Sequence, residues 1–222
     1  MPSPSAIAWL SRRSVTVPDA RRTTRGLHSR ARGTWPERRV GSAPVTADLK
    51  RVCLLGAEST GKTTLAEALA ARFDTAWNPE YGRPYTQIGR PHGAPWASWE
   101  FTHIARIQCW YEDFLAGLAE RVLFTDTDAF TTAVFHEVYL GSPATGFDEL
   151  VARPYDLFVV CGLDTPWQHD GVREFEAQRR WMHERYLARV QASGSPWVLV
   201  EGPPHVRLET AAAAVERLFG RA

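Results

Sequence analysis

The sequence predicts an α/β fold built on a parallel sheet with helices on both faces. Two observations predict it. Short apolar runs alternate along the chain with longer stretches of helical spacing, the order that builds strand–helix–strand units. Within those runs, apolar residues do not alternate with polar ones. Strands of that kind are buried on both faces, as in parallel sheets covered by helices. No internal repeat is visible.

The elements follow in order. "RVCLL" (51–55) reads as a buried strand. A glycine-rich stretch, "GAESTGKTT" (56–64), comes next and leads into "TTLAEALAARF" (63–73), which has helical spacing. "TAWNPEYGRPY" (75–85) follows the first helix as a polar and aromatic segment. "WASWEFTHIARIQCWYEDFLAGLAE" (96–120) is a long helical stretch with apolar residues three and four apart. "RVLFTD" (121–126) is a strand ending on a carboxylate, and "AFTTAVFHEVYLG" (129–141) a helix stopped by Gly141. "YDLFVVCG" (155–162) and "PWVLVE" (196–201) are further strands. The charged "VREFEAQRRWMHERYLARVQAS" (172–193) and the closing "RLETAAAAVERLFG" (207–220) are helices.

The 222 residues suit one such domain plus an extension. The division is expected after residue 48. Residues 1–48 carry nine Arg against three acids, a net of +6; the rest carries 17 basic against 22 acidic groups, a net of −5. Residues 1–48 have almost no hydrophobic periodicity and are rich in Arg, Ser, Thr, Pro and Ala, a composition that predicts a solvated, disordered tail. Its Arg-rich, acid-poor bias also matches an organelle transit peptide or a nucleic-acid-binding arm. A mildly acidic main domain argues against nucleic acid as its chief ligand. No stretch approaches the length of a membrane span. Cys53, Cys109 and Cys161 show no paired spacing, so buried free thiols in a reducing cytoplasm are expected.

The stretch 56–64 fits G-x-x-x-x-G-K-[ST] at Gly56, Gly61, Lys62 and Thr63. Its glycines let the backbone curl so that successive N–H groups face one centre, and the following helix adds its positive end. Gly56, Glu58, Ser59, Thr60, Gly61, Lys62, Thr63 and Thr64 are therefore expected around the phosphates of ATP. Lys62 reaches the outer phosphates and Thr63 binds Mg²⁺. Phosphoryl transfer also needs an acid near the metal from a neighbouring strand. "LFTDTD" (123–128) offers Asp126, with Asp128 as second candidate or as a helix cap. No N/T-K-x-D guanine reader occurs, which excludes a GTPase switch, and the length excludes large motors. A kinase of a small metabolite or nucleoside remains. Its acceptor pocket is expected from Trp77, Glu80, Tyr81 and Arg83, and its lid from 163–180 with Trp167, Asp170 and Arg173. A lid arginine, here Arg173, stabilises charge on the transferring group; Arg179 and Arg180 read as a solvated helix face.

"AWNPEYGR", "DTDAFTT" and "YDLFVVCGLDTPWQHDGVR", in this order behind the Gly-rich loop, resemble the nicotinamide riboside kinase domain of NadR-type NAD-biosynthesis proteins. The resemblance covers about residues 51–219. It implies a P-loop kinase fold with a five-stranded parallel core. It also implies transfer of the ATP γ-phosphoryl to the 5′-hydroxyl of nicotinamide riboside. In such a reaction Glu80 or Asp128 is expected to bind the acceptor hydroxyl and accept its proton. Trp77, Tyr81 and Trp167 would be available for stacking on the cationic ring. Segment 202–207 is placed beside the adenine on the same resemblance. Two departures stand out. No adenylyltransferase H-x-G-H motif is present, and His169–Asp170 replaces the two adjacent acids of many lids. The alternatives are a kinase of another nucleoside and an ATP-binding regulatory module.

Overall fold

The structure, a computed structural model, describes residues 48–91, 93–167 and 176–220. Five parallel strands form one sheet in the order β2-β3-β1-β4-β5. In chain order the strands are β1 (Lys50–Leu55), β2 (Trp77–Asn78), β3 (Val122–Asp126), β4 (Leu157–Cys161) and β5 (Trp197–Val200). The helices are α1 (Lys62–Arg72), α2 (Gly82–Pro84), α3 (Ser98–Ala116), α4 (Ala129–Leu140), α5 (Asp148–Val151), α6 (Arg179–Ser193) and α7 (Pro204–Phe219). A π-helical turn, Tyr85–Gly89, runs on from α2.

The α/β class and the five-stranded parallel core are borne out. The central strand β1 aligns Leu54 with Asp126 of β3 and with Val159 of β4. This register brings the Gly-rich loop and the end of β3 to the same edge. Side chains alternate between two cores. Val52, Leu54, Phe124 and Val159 pack against Leu65 and Leu69 of α1 and Val215 of α7. Cys53, Leu55, Phe158 and Val160 pack against Val134 of α4 and Met182 and Tyr186 of α6. All three cysteines are buried free thiols. No helix among the described residues is long and apolar enough to cross a membrane.

Three expectations need correction. The segment 75–85 is not only loop, because Trp77–Asn78 pairs with Phe124–Thr125 as the fifth strand. The strand "PWVLVE" is not covered on both faces. β5 lies at the sheet edge, and Trp197 and Leu199 remain exposed. The closing helix starts at Pro204, not 207, because Pro supplies a pre-set φ at the first helical turn, where no N–H is needed. The tail 1–47 and the lid residues His169, Asp170 and Arg173 lie outside the described residues.

Candidate active site

The Gly-rich loop joins β1 to α1 at the carboxyl end of the sheet, the edge where open α/β folds bind ligands. Its shape depends on two backbone devices. A Cβ on Gly56 would lie 2.7 Å from Thr60 Oγ1 and 3.0 Å from Cys161 Cβ, so only glycine lets the loop sit against β4. Ser59 and Gly61 take left-handed φ values of 57° and 80°. The loop is further tied by Thr60 Oγ1, which donates to the Ala57 carbonyl at 2.7 Å, and by Lys62 Nζ, which donates to the same oxygen at 3.0 Å. Replacing Gly56 by Ala is expected to destabilise the fold by about 1–3 kcal/mol, the scale of overpacking. Urea unfolding measures it, and an unchanged midpoint would show that the loop is not seated on Cys161.

Asp126 ends β3 fully buried. Thr63 Oγ1 donates to its Oδ2 at 2.6 Å, and its Oδ1 has no hydrogen-bond partner. Burial pushes the Asp126 carboxyl up to about 6, and the Glu80 carboxylate adds to this against the pull of Lys62, the Thr63 hydroxyl and Arg83. These four groups therefore converge on Asp126. A buried oxygen without a donor, beside a hydroxyl at the loop's end, is a donor set that suits a hard divalent cation.

Thr127 adopts a left-handed φ of 70°, uncommon for a β-branched residue and a form of strain that clusters at functional sites. The turn directs the flanking carboxylates Asp126 and Asp128 inward, where both are buried. Asp128 caps α4: its Oδ1 accepts from Thr131 N at 2.9 Å and Thr131 Oγ1 at 3.2 Å. The capping role foreseen as its alternative is what the geometry displays, with Oδ2 buried and unpartnered. Burial raises the Asp128 carboxyl, and Thr131 opposes this.

Two cavities flank the loop and share no lining residue. The larger, of about 690 Å³, runs along Ser59–Gly61 and Thr64 to Asp164 and Gly202–His205. The smaller, of about 60 Å³, combines Glu58, Glu80, Arg83 and Thr127 with Trp96, Phe101 and Tyr139. Glu58, assigned by sequence to the phosphates, thus lines the second cavity. The aromatic end is compact: the Trp96 ring lies 4.8 Å from Tyr139 and 4.9 Å from Phe101. Arg90 stacks 3.8 Å from the Trp96 ring and pairs with Glu100, which fixes that wall. Gln108 of α3, buried, ties the Asp126–Thr127 turn to the 78–81 segment: its Nε2 donates to the carbonyls of both turn residues, and its Oε1 accepts from Tyr81 N.

The structure brings together Lys62, Thr63, Glu80, Arg83 and Asp126. It does not bring Trp77, Tyr81 or Trp167 to either cavity. Trp77 is buried in the core against α1. Tyr81 packs among Tyr85, His103 and Tyr111. Trp167 lies under the Arg179 guanidinium. Sequence reasoning missed Trp96, Tyr139 and Gln108, which look like ordinary apolar and polar positions on helical stretches. Arg207 closes the segment 202–207 placed beside the adenine, but nothing in the sequence signals its bonds to three separate segments.

A family model described as an AAA domain matches residues 51–207. The chain belongs to that family. The chain is also similar to the trifunctional NAD biosynthesis/regulator protein NadR of Escherichia coli and of Salmonella typhimurium. It is 36% identical to each over 128 residues, which are 56% of this chain and 31% of the relative. The match thus spans about a third of the length of those curated relatives. Among solved structures, a NadR protein in complex with NR superposes with a TM-score of 0.68 at 25% identity, over 79% of this chain and 53% of that one. A thymidylate kinase from Ehrlichia chaffeensis superposes at 0.54 and 11% identity, over 75% of this chain and 98% of that one, a likeness of fold alone. The resemblance to NadR-type proteins read from the motifs is borne out.

Proposed function

We propose that this domain is a Mg·ATP-dependent kinase that phosphorylates the 5′-hydroxyl of nicotinamide riboside, giving nicotinamide mononucleotide. One observation carries the reading: a phosphate loop separates a long cleft from a small aromatic and acidic pocket. Glu58 faces the pocket, while Ser59–Gly61 line the cleft. Donor and acceptor would then meet over Lys62 and Asp126. The NadR structure in complex with NR supports the choice of acceptor. So does the chemistry of the pocket. A pyridinium cation is favoured by aromatic faces, here Trp96 and Tyr139, and by the carboxylates Glu58 and Glu80.

Loose phosphoryl-transfer transition states ask for positioning and charge stabilisation rather than a strong base. The loop amides and Lys62 hold the phosphates, and Glu80 or Asp128 orients the acceptor hydroxyl and takes its proton. Thr63 and Asp126 would hold Mg²⁺, which when bound neutralises charge on the phosphate oxygens. Arg173 is the proposed lid cation. Three buried free thiols fit a cytoplasmic enzyme.

The test is turnover of the full chain with Mg·ATP and nicotinamide riboside, other nucleosides, or no acceptor. ADP formation dependent on nicotinamide riboside supports the reading. Preference for another nucleoside, or tight ATP binding without acceptor-dependent turnover, overturns it. Within the same assay, Trp96→Ala and Tyr139→Ala are each expected to raise the acceptor KM roughly tenfold, the scale of lost stacking on a cation. The ATP KM should stay unchanged.

A further inference from the structure

The long cleft has three walls that arrive from separate parts of the chain. They are the phosphate loop, the segment after β4 and the segment after β5. Arg207, in the first turns of α7 and only 5% exposed, joins all three. Its Nη1 donates to the Thr60 carbonyl at 2.8 Å. Its Nε donates to the Gly202 carbonyl at 2.8 Å. Its Nη2 donates to Asp164 Oδ1 and, at 2.8 Å, to Thr165 Oγ1. Asp164 Oδ2 in turn accepts from Gly202 N at 2.6 Å, where the chain turns with φ of 87°. The Thr165 carbonyl accepts from Arg179 at the start of α6.

From this geometry we infer that Arg207 is a positioning residue for the donor nucleotide, holding the phosphate loop in register with the walls that flank the base. The inference rests on the reading of this cleft as the donor site. Burying a guanidinium is costly unless its donors are used, and here four bonds reach four acceptors on three separate segments. A planar fork can span them; the single nitrogen of lysine cannot. None of these acceptors lines the aromatic pocket, so the effect belongs to the donor alone. The Thr60 bond has the most direct consequence. It fixes a peptide whose neighbours supply the converging N–H groups of the cradle.

The experiment compares full-length wild type, Arg207→Lys, Asp164→Asn and the double variant. Binding of a fluorescent ATP analogue with Mg²⁺ is measured, together with the acceptor KM and thermal midpoints. Each single variant is expected to raise the Kd for ATP about tenfold, the scale of a lost charge-assisted hydrogen bond. The double variant should be little worse than the weaker single one, because the two residues act as one unit. The acceptor KM should stay within about twofold. Wild-type ATP affinity in both single variants overturns the inference. So does an additive double variant, or equal loss of donor and acceptor binding with a lowered midpoint, which would make Arg207 merely structural. Asp164 is partly exposed and asparagine keeps one acceptor oxygen, so Asp164→Asn is the second variant that decides the inference where Arg207→Lys fails to fold. Wild type that fails to bind ATP sinks the donor reading and this inference together. Wild type that binds ATP but phosphorylates no acceptor sinks the kinase reading alone, and the ATP arm still decides the role of Arg207.

Discussion

Replacing Lys62 by Ala is expected to lower turnover at least ~10²-fold, the scale of removing one preorganised charge-stabilising donor, and to leave the fold nearly as stable as before. Lys62 is half-buried, and among the described residues its ammonium makes one hydrogen bond, to the Ala57 carbonyl at 3.0 Å. That carbonyl keeps the Thr60 hydroxyl as a second donor at 2.7 Å, so truncation strands no buried acceptor. On the proposed function, the interaction lost would be the one made with the phosphates. A 10²-fold loss corresponds to about 2.7 kcal/mol of transition-state stabilisation. Lys62 also pulls the Asp126 carboxyl down. Its removal should push that carboxyl higher still and move upward the acid limb of kcat/KM for Mg·ATP, which reports the unliganded site. Steady-state kinetics across pH with a thermal melt checks all three points. Near-wild-type turnover would remove Lys62 from the machinery.

The parts of this site that chain order makes local were legible in the sequence. A glycine loop between a strand and a helix has one folded meaning, and a strand ending on Asp126 presents that residue beside it because neighbouring parallel strands end at the same edge. β2 was not legible, since two residues, Trp77 and Asn78, carry no periodicity and their pairing with β3 is decided by the sheet. The aromatic pocket was hidden for a different reason. Trp96 and Tyr139 are 43 positions apart and meet only because α3 and α4 pack together. An aromatic on a helical stretch gives no sign of whether it faces core or ligand, and the same ambiguity misassigned Trp77 to the substrate. The bonding role of Arg207 was least visible. The residue reads as a cation on an alanine-rich helix, and its four acceptors lie in three separate segments.

Asp126→Asn is expected to separate activity from stability in opposite directions. Folding raises this carboxyl from an ordinary 3.8 to about 6, chiefly through burial. The folded state therefore binds the proton more tightly than the unfolded chain. The stability this confers is fully present below pH 3.8 and is lost as pH rises through about 6. At pH 7.5 the wild type folds around an ionised, buried carboxylate, at an expense of up to about 3 kcal/mol for a shift of this size. Asparagine keeps an acceptor for the Thr63 hydroxyl without the charge. Its thermal midpoint should exceed wild type at pH 7.5, and the advantage should vanish by about pH 4. Turnover should nevertheless fall at least ~10²-fold, because the neutral amide no longer supplies the negative oxygen that a divalent cation needs. For the wild type, kcat/KM for Mg·ATP, which reports the unliganded site, should decline as pH drops through about 6, as Asp126 takes up its proton. A variant less stable than wild type at pH 7.5 would show that the Asp126 carboxylate is held there for the fold. A more stable, inactive variant would show that the chain keeps a buried charge at the expense of stability because catalysis requires it.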